Sequence, residues 1–236
     1  MQKIAFIILT SWLGWFSTED PIEKELDYFI HLMRADSAEK AMQVFNAITI
    51  NEDTDHYQKA RYFQIEGDLY FRNNQYMDAF KAYNSALDHL SLSDNSDTLM
   101  RLKLWKNKGD ILTYYKHFDD AIHATQQALK YAELLEDNRR IAGVLYNLGN
   151  ILHHNQEYDQ SIAFFSKSYQ LNKKLVNINN IGAGYLGKQD YDLAFQYFER
   201  VIEQSDNSAT IAKAYHNMAL CMDRSGQPGA EQYFIK

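Results

Sequence analysis

Residues 105–128 read WKNKGDILTYYKHFDDAIHATQQA, and the order of side-chain sizes in this stretch decides the fold. Gly109 is followed three positions on by Leu112, nine on by Phe118 and twelve on by Ala121. The same offsets recur from Gly67 (Tyr70, Tyr76, Ala79), Gly149 (Leu152, Tyr158, Ser161) and Gly182 (Tyr185, Tyr191, Ala194). A large apolar residue, an aromatic and a small residue in register four times predict one structural unit used repeatedly.

The spacing is that of a helical hairpin. Two antiparallel helices approach closely only where side chains are small, so the glycine on the first helix and the Ala or Ser on the second make room for each other. The aromatic at the start of the second helix fills the gap beside the turn. Tyr83, Ala86, Ala128, Phe165, Phe198 and Val201 continue the inward stripe at helical spacing. Short polar turns are expected around Arg72–Gln75, Tyr115–His117, Asn155–Glu157 and Lys188–Asp190. By subtraction of residue numbers the glycine-to-glycine steps are 42, 40 and 33. The two longer steps are expected to lengthen the second helix or the link after it, and the third to be compact through Leu175, Val176 and Asn177.

A fifth first helix is expected from about Thr210 to Arg224, with Ala219 in the glycine position. Upstream, Ile22 to Arg34 and Ser37 to Ile50, with Ala41, Phe45 and Ile48, read as an irregular hairpin over 19–58 that caps an array over 59–236 of about five units, the last incomplete. These residues resemble the tetratricopeptide repeat (TPR) family, whose unit of about 34 residues carries a Trp-x-x-Leu-Gly-x-x-Tyr pattern and then Ala, Phe and Ala. Trp105 with Gly109, Leu148 with Gly149, and Ile181 and Gly182 with Tyr185 match the first helix; Ala79, Tyr83 and Ala86 match the second. The resemblance implies an all-α, right-handed superhelical α-solenoid of antiparallel helix pairs. The sequence departs from the pattern in lacking the closing Pro, and in placing Glu66 and Lys108 where the residue before the glycine is Leu.

The net charge of −7 gives no general attraction to nucleic acid, and the basic pairs Arg139–Arg140 and Lys173–Lys174 stand apart from one another, so no nucleic-acid partner is expected. The lone Cys221, beside Ala219, Leu220 and Met222, reads as a small buried hydrophobe. Residues 1–18 have a basic start at Lys3 and an apolar run from Ile4 to Phe16, the shape of an export leader. Thirteen helical residues reach only about 20 Å, short of a membrane core of about 30 Å. Bulky Trp15 occupies a position where cleavage wants a small side chain, and the alternative is a cytoplasmic protein whose apolar N-terminal helix packs on the first hairpin. At the other end Tyr233, Phe234 and Ile235 follow Pro228 with no polar helix beyond them, so self-association or a further domain is expected there.

No catalytic set is present. Gly182, Gly184 and Gly187 spell Gly-x-Gly-x-x-Gly, but no strand precedes them and the repeat explains them, so they read as packing glycines and no cofactor is expected. The eight histidines show no metal-ligand spacing. What does recur is asparagine two positions before the glycine: Asn107, Asn147, Asn180 and Asn217. In the TPR architecture this position borders the concave face, and kinesin light chains use asparagines there to hold peptides; the resemblance implies a protein or extended peptide held by side-chain carbonyls and amides. Lys103, Lys106, Asp110, Tyr146, Asn150, His153, Asn179, Lys213 and His216 flank that row and suggest a polar ligand with an acidic element. The reading is thus a non-enzymatic binding scaffold, or alternatively the extracytoplasmic ligand-sensing part of a longer bacterial signalling protein. A bridge between neighbouring helices is the other role open to the asparagines.

Overall fold

The computed structural model describes residues 21–35, 37–226 and 228; the apolar segment 1–18 and Tyr233, Phe234 and Ile235 lie outside them. Eleven helices follow one another among the described residues: α1 (Pro21–Arg34), α2 (Ala38–Ala47), α3 (His56–Arg72), α4 (Tyr76–Leu92), α5 (Thr98–Tyr114), α6 (Phe118–Leu134), α7 (Asn138–His154), α8 (Tyr158–Asn172), α9 (Leu175–Gly187), α10 (Tyr191–Gln204) and α11 (Ser208–Ser225). They pack as consecutive antiparallel pairs, and α11 packs on α10 as the first helix of the next unit.

Local chemistry sets the helix ends. The carboxylates of Asp55, Asp97 and Asp137 and the amide oxygen of Asn207 accept backbone N–H groups at the starts of α3, α5, α7 and α11. Asp55 starts α3 at His56, three residues ahead of position 59. The turns of the four hairpins α3–α4, α5–α6, α7–α8 and α9–α10 then close through one left-handed residue each: Asn74, Lys116, Gln156 and Gln189, with φ of 59°, 61°, 64° and 64°. In all four the next backbone N–H bonds back to the helix, as in Gln75 to the Tyr70 carbonyl and His117 to the Leu112 carbonyl, both 2.9 Å. Gly226, with φ of 71°, takes the same place after α11.

The packing follows the predicted offsets. Ala79, Ala121, Ser161 and Ala194 are completely buried, and the Ser161 hydroxyl donates to the Gly149 carbonyl at 2.9 Å. Opposite the glycines, sixteen residues on, stand Tyr83, Thr125, Phe165 and Phe198; a methyl group added at Gly149 would lie 2.7 Å from the Phe165 ring. In the N-terminal hairpin, Leu26, Phe29, Ala41, Phe45 and Ile48 form a core with Ile65 of α3.

The third step differs from expectation in where it is short. Leu175, Val176 and Asn177 are the first turn of α9, and the link is Lys173–Lys174 alone. Of the seven residues by which this step falls short of the preceding one, four come from the start of α9, two from α8 and one from the link. Lys174 at the N-cap of α9 supplies no side-chain acceptor, where the corresponding residue of α3, α5, α7 and α11 is Asp or Asn. Lys108, at the departure noted before Gly109, lies over the Trp105 and Phe80 rings at 4.4 and 5.3 Å, so a cation occupies the place of an apolar side chain.

Candidate functional site

The asparagines two positions before the glycines sit half-buried on α5, α7, α9 and α11, and each sends its amide to the preceding first helix. Asn107 Nδ2 donates to Asp68 Oδ1 at 3.2 Å and to the Tyr83 hydroxyl at 3.0 Å. Asn147 Nδ2 donates to Asp110 Oδ1 at 3.1 Å, Asn180 Nδ2 to Asn150 Oδ1 at 3.3 Å, and Asn217 Nδ2 to Asn179 Oδ1 at 3.2 Å. Asp68, Asp110 and Asn150 hold one repeat position, directly after the glycine. In the fourth unit that position is Ala183, which has no acceptor, and Asn179 replaces it.

A carboxylate only accepts, so Asp68 and Asp110 fix which end of Asn107 and Asn147 faces them. Asn107 makes two bonds through its amide, whereas Asn147, Asn180 and Asn217 each have a second N–H beyond the bond between units. An N–H of each amide is engaged between units, and the side-chain carbonyl is turned away from that bond. A hydrogen bond to a charged acceptor contributes about 1.5–3 kcal/mol, so the row also ties neighbouring hairpins together. The Tyr83 hydroxyl donates to Asp68 at 2.7 Å, and burial, then the Asp68 charge, push its pKa far above the usual phenol range.

The flanking residues divide. Asn147, Asn150 and Asp110 share one depression of about 310 Å³ with Thr113, Ile151 and His154. Lys106 pairs with Asp110 one helical turn on, at 2.7 Å, so its charge is directed onto its own helix. The Tyr146 ring packs 5.6 Å from that of buried Phe165. His153 is half-buried, edge-on to Tyr158 with centroids 5.4 Å apart, and its Nδ1 is buried with no hydrogen-bond partner. Burial, then the His154 charge, push the His153 pKa below the ordinary imidazole value. Lys103 is exposed in a different depression beside Arg61 and Gln64, and Lys213 and His216 are exposed on α11.

Sequence reasoning passed over Asp68, Thr113 and His154. Asp68 carried a signal, since it shares the register of Asp110 and Asn150. It also passed over His56 and His89, whose Nδ1 atoms meet at 3.1 Å across the open end of the α3–α4 hairpin. Among the described residues no group of three or more His, Cys, Asp or Glu converges as metal ligands would. Gly182, Gly184 and Gly187 face Phe198, Ile162 and Tyr158 side chains, close enough that a methyl group would collide with each. Cys221 is buried, and burial pushes its thiol up to about 11. No helix among the described residues is long and apolar enough to cross a membrane.

Consecutive antiparallel hairpins whose first helices carry a polar row define an α-solenoid repeat domain. Residues 108–174 match the tetratricopeptide repeat family model. The same unit recurs on either side of that span, so the fold is that of a tetratricopeptide-repeat array. No curated protein matches it. Among solved structures, the apo form of RapI is 17% identical with a TM-score of 0.68, covering 92% of this chain and 75% of that one. The apo form of the quorum sensor NprR from B. thuringiensis is 15% identical with a TM-score of 0.70, covering 97% and 67%. MamA from Desulfovibrio magneticus is 17% identical with a TM-score of 0.61, covering 81% and 100%. At these identities the likeness establishes the fold. Domains of this family typically bind proteins or peptides and are generally non-catalytic.

Proposed function

We propose that the chain is a non-enzymatic scaffold that holds an extended peptide along its first helices, with the Oδ1 atoms of Asn107, Asn147, Asn180 and Asn217 accepting backbone N–H groups of the ligand. The observation that carries this is the common orientation of the row. Each amide is held by the unit before it, which fixes the direction of its carbonyl; that of Asn180 also accepts from Asn179 Nδ2 at 3.4 Å. Backbone recognition by a row of side-chain acceptors suits an extended ligand of mixed sequence. Asn150, Thr113 and His154 beside the row line the depression that receives a ligand side chain. Lys106, Tyr146 and His153 support the groove wall through Asp110, Phe165 and Tyr158.

The second reading, a ligand-sensing part of a longer signalling protein, draws on the likeness to a quorum sensor, of whose chain the matched region is 67%. Export through residues 1–18 belongs to that reading. The test is a random dodecapeptide library displayed on phage and selected on the protein. The best enriched peptide is then titrated, fluorescein-labelled, against wild type and against Asn147→Ala with Asn180→Ala. Binding is expected to be lost from the double variant while its helical circular dichroism is retained; unchanged affinity overturns the groove reading.

A further inference from the structure

The irregular N-terminal hairpin does more than cover the end of the array. Between α1, α3 and α5 lies a depression of about 320 Å³, within the size range of small ligand sites. Its floor is apolar: Phe29 and Ile65 are buried, and Ile30, Met33 and Leu69 are half-buried. Its rim is cationic. Arg34 comes from the last turn of α1, Arg72 from the last turn of α3 and Lys103 from α5, all exposed.

None of these three cations has an ion-pair partner among the described residues, although the chain carries a net charge of −7. Arg61 nearby shows the contrast, because Glu23 and Asp27 of α1 both pair with it. Among the described residues the one carboxylate lining the depression, Asp68, is already engaged by the Tyr83 hydroxyl and the Asn107 amide. The amide bond from Asn107 ties this wall of the depression to the first member of the asparagine row.

Resting on the groove reading, we infer that this depression is the specificity pocket of the groove and takes an acidic peptide segment, burying one bulky apolar side chain between carboxylates that meet Arg34, Arg72 and Lys103. Three unpaired cations around an apolar floor complement that chemistry and repel a basic ligand. The asparagine row supplies sequence-independent hold and the pocket supplies selection. The acidic element expected from Lys103 and Lys106 is therefore placed at Lys103 and the two arginines, Lys106 being held by Asp110.

The same phage selection tests this. Enriched peptides are expected to carry Leu, Met or Phe flanked by Asp or Glu. The labelled best peptide should lose about tenfold or more in affinity to Arg72→Glu with Lys103→Glu, and should weaken as salt is raised. A version of that peptide with Lys for each acid should bind the charge-reversed variant better than wild type. Enrichment of neutral or basic sequences, or equal affinity for wild type and the charge-reversed variant, overturns the pocket. If affinity is lost with Asn147→Ala and Asn180→Ala but unchanged by charge reversal, the groove reading stands and this inference fails. Enrichment of no peptide overturns both. Both charge-reversed positions are exposed, and circular dichroism checks that the variant is folded.

Discussion

The first helices α7 and α9 are neighbours in the array and use the same register, yet they are built on opposite terms. α7 runs 17 residues from an Asp137 cap and places Ile151 and His154 two and five positions after its packing glycine. α9 runs 13 residues from Lys174, and the same two positions are Gly184 and Gly187, against Ile162 and Tyr158 of α8. Where α7 carries half-buried His153, α9 carries buried Leu186. α7 also has a glycine, Gly143, with open space around it. One helix keeps polar side chains on the groove and tolerates a poor helix former, while the other gives up side chains to let its neighbour approach. The difference sets polar groove side chains on α7 against close glycine-mediated approach of α8 and α9, while the asparagine row runs through both first helices.

The largest effect is expected from making α9 resemble α7. A methyl group at Gly184 would lie 2.6 Å from Ile162 Cγ1, so Gly184→Ala should cost about 1–3 kcal/mol through overpacking, read as a lower urea midpoint. Gly184→Ile, which installs the residue α5 and α7 carry there, should cost more. An unchanged midpoint for both would mean that α8 and α9 are free to separate, and the compact junction would lose its basis.

A smaller effect follows from making α7 resemble α9. Burial lowers the His153 pKa in the folded chain, so the folded protein declines a proton that the unfolded chain accepts below about pH 6.5. The sign is therefore loss of stability as pH falls from 7 toward 5, with no contribution above that window. His153→Leu removes the titrating ring and the unpartnered Nδ1 together. The urea midpoint of this variant should fall less between pH 7 and pH 5 than that of wild type. His89, also depressed by burial, and Glu66, raised by burial, are present in both proteins and cancel in the difference. Identical slopes would show that His153 titrates freely.

The fold was legible because the glycine, aromatic and small-residue offsets are set by helix contact distance, a property that sequence spacing records directly. The partner opposite Gly109 was harder to see, since Thr125 stands where the other units have Tyr83, Phe165 and Phe198. The asparagine row was visible, but its orientation depends on which acceptor lies on the next helix, and Asp68 had not been grouped with Asp110 and Asn150. The meeting of His56 with His89 requires knowing that α3 and α4 have equal lengths, which the turn at Asn74 makes possible. The cationic depression was hidden for another reason. α1 has no packing glycine and therefore no register from which to read its groove face.

The smallest effect separates stability from binding within α7 itself. Gly143 is exposed and, beyond its chain neighbours and the backbone of its own helix, no atom lies within 4 Å of where its Cβ would stand, so alanine there meets no other side chain or helix. A mid-helix glycine is less favourable than alanine by about 0.8–1.0 kcal/mol, largely through backbone entropy. Gly143→Ala should therefore raise stability by about 0.5–1 kcal/mol, seen as a higher urea midpoint with an unchanged slope. Gly143 shares the repeat position of Lys103, six before the packing glycine, and so belongs to the groove side of α7. If the gain in stability comes with weaker binding of the selected peptide, the open space above Gly143 is where the ligand backbone passes. If stability rises and affinity holds, the ligand passes over Asn147 and Asn150 alone, and the glycine marks only a helix that its neighbours already hold in place.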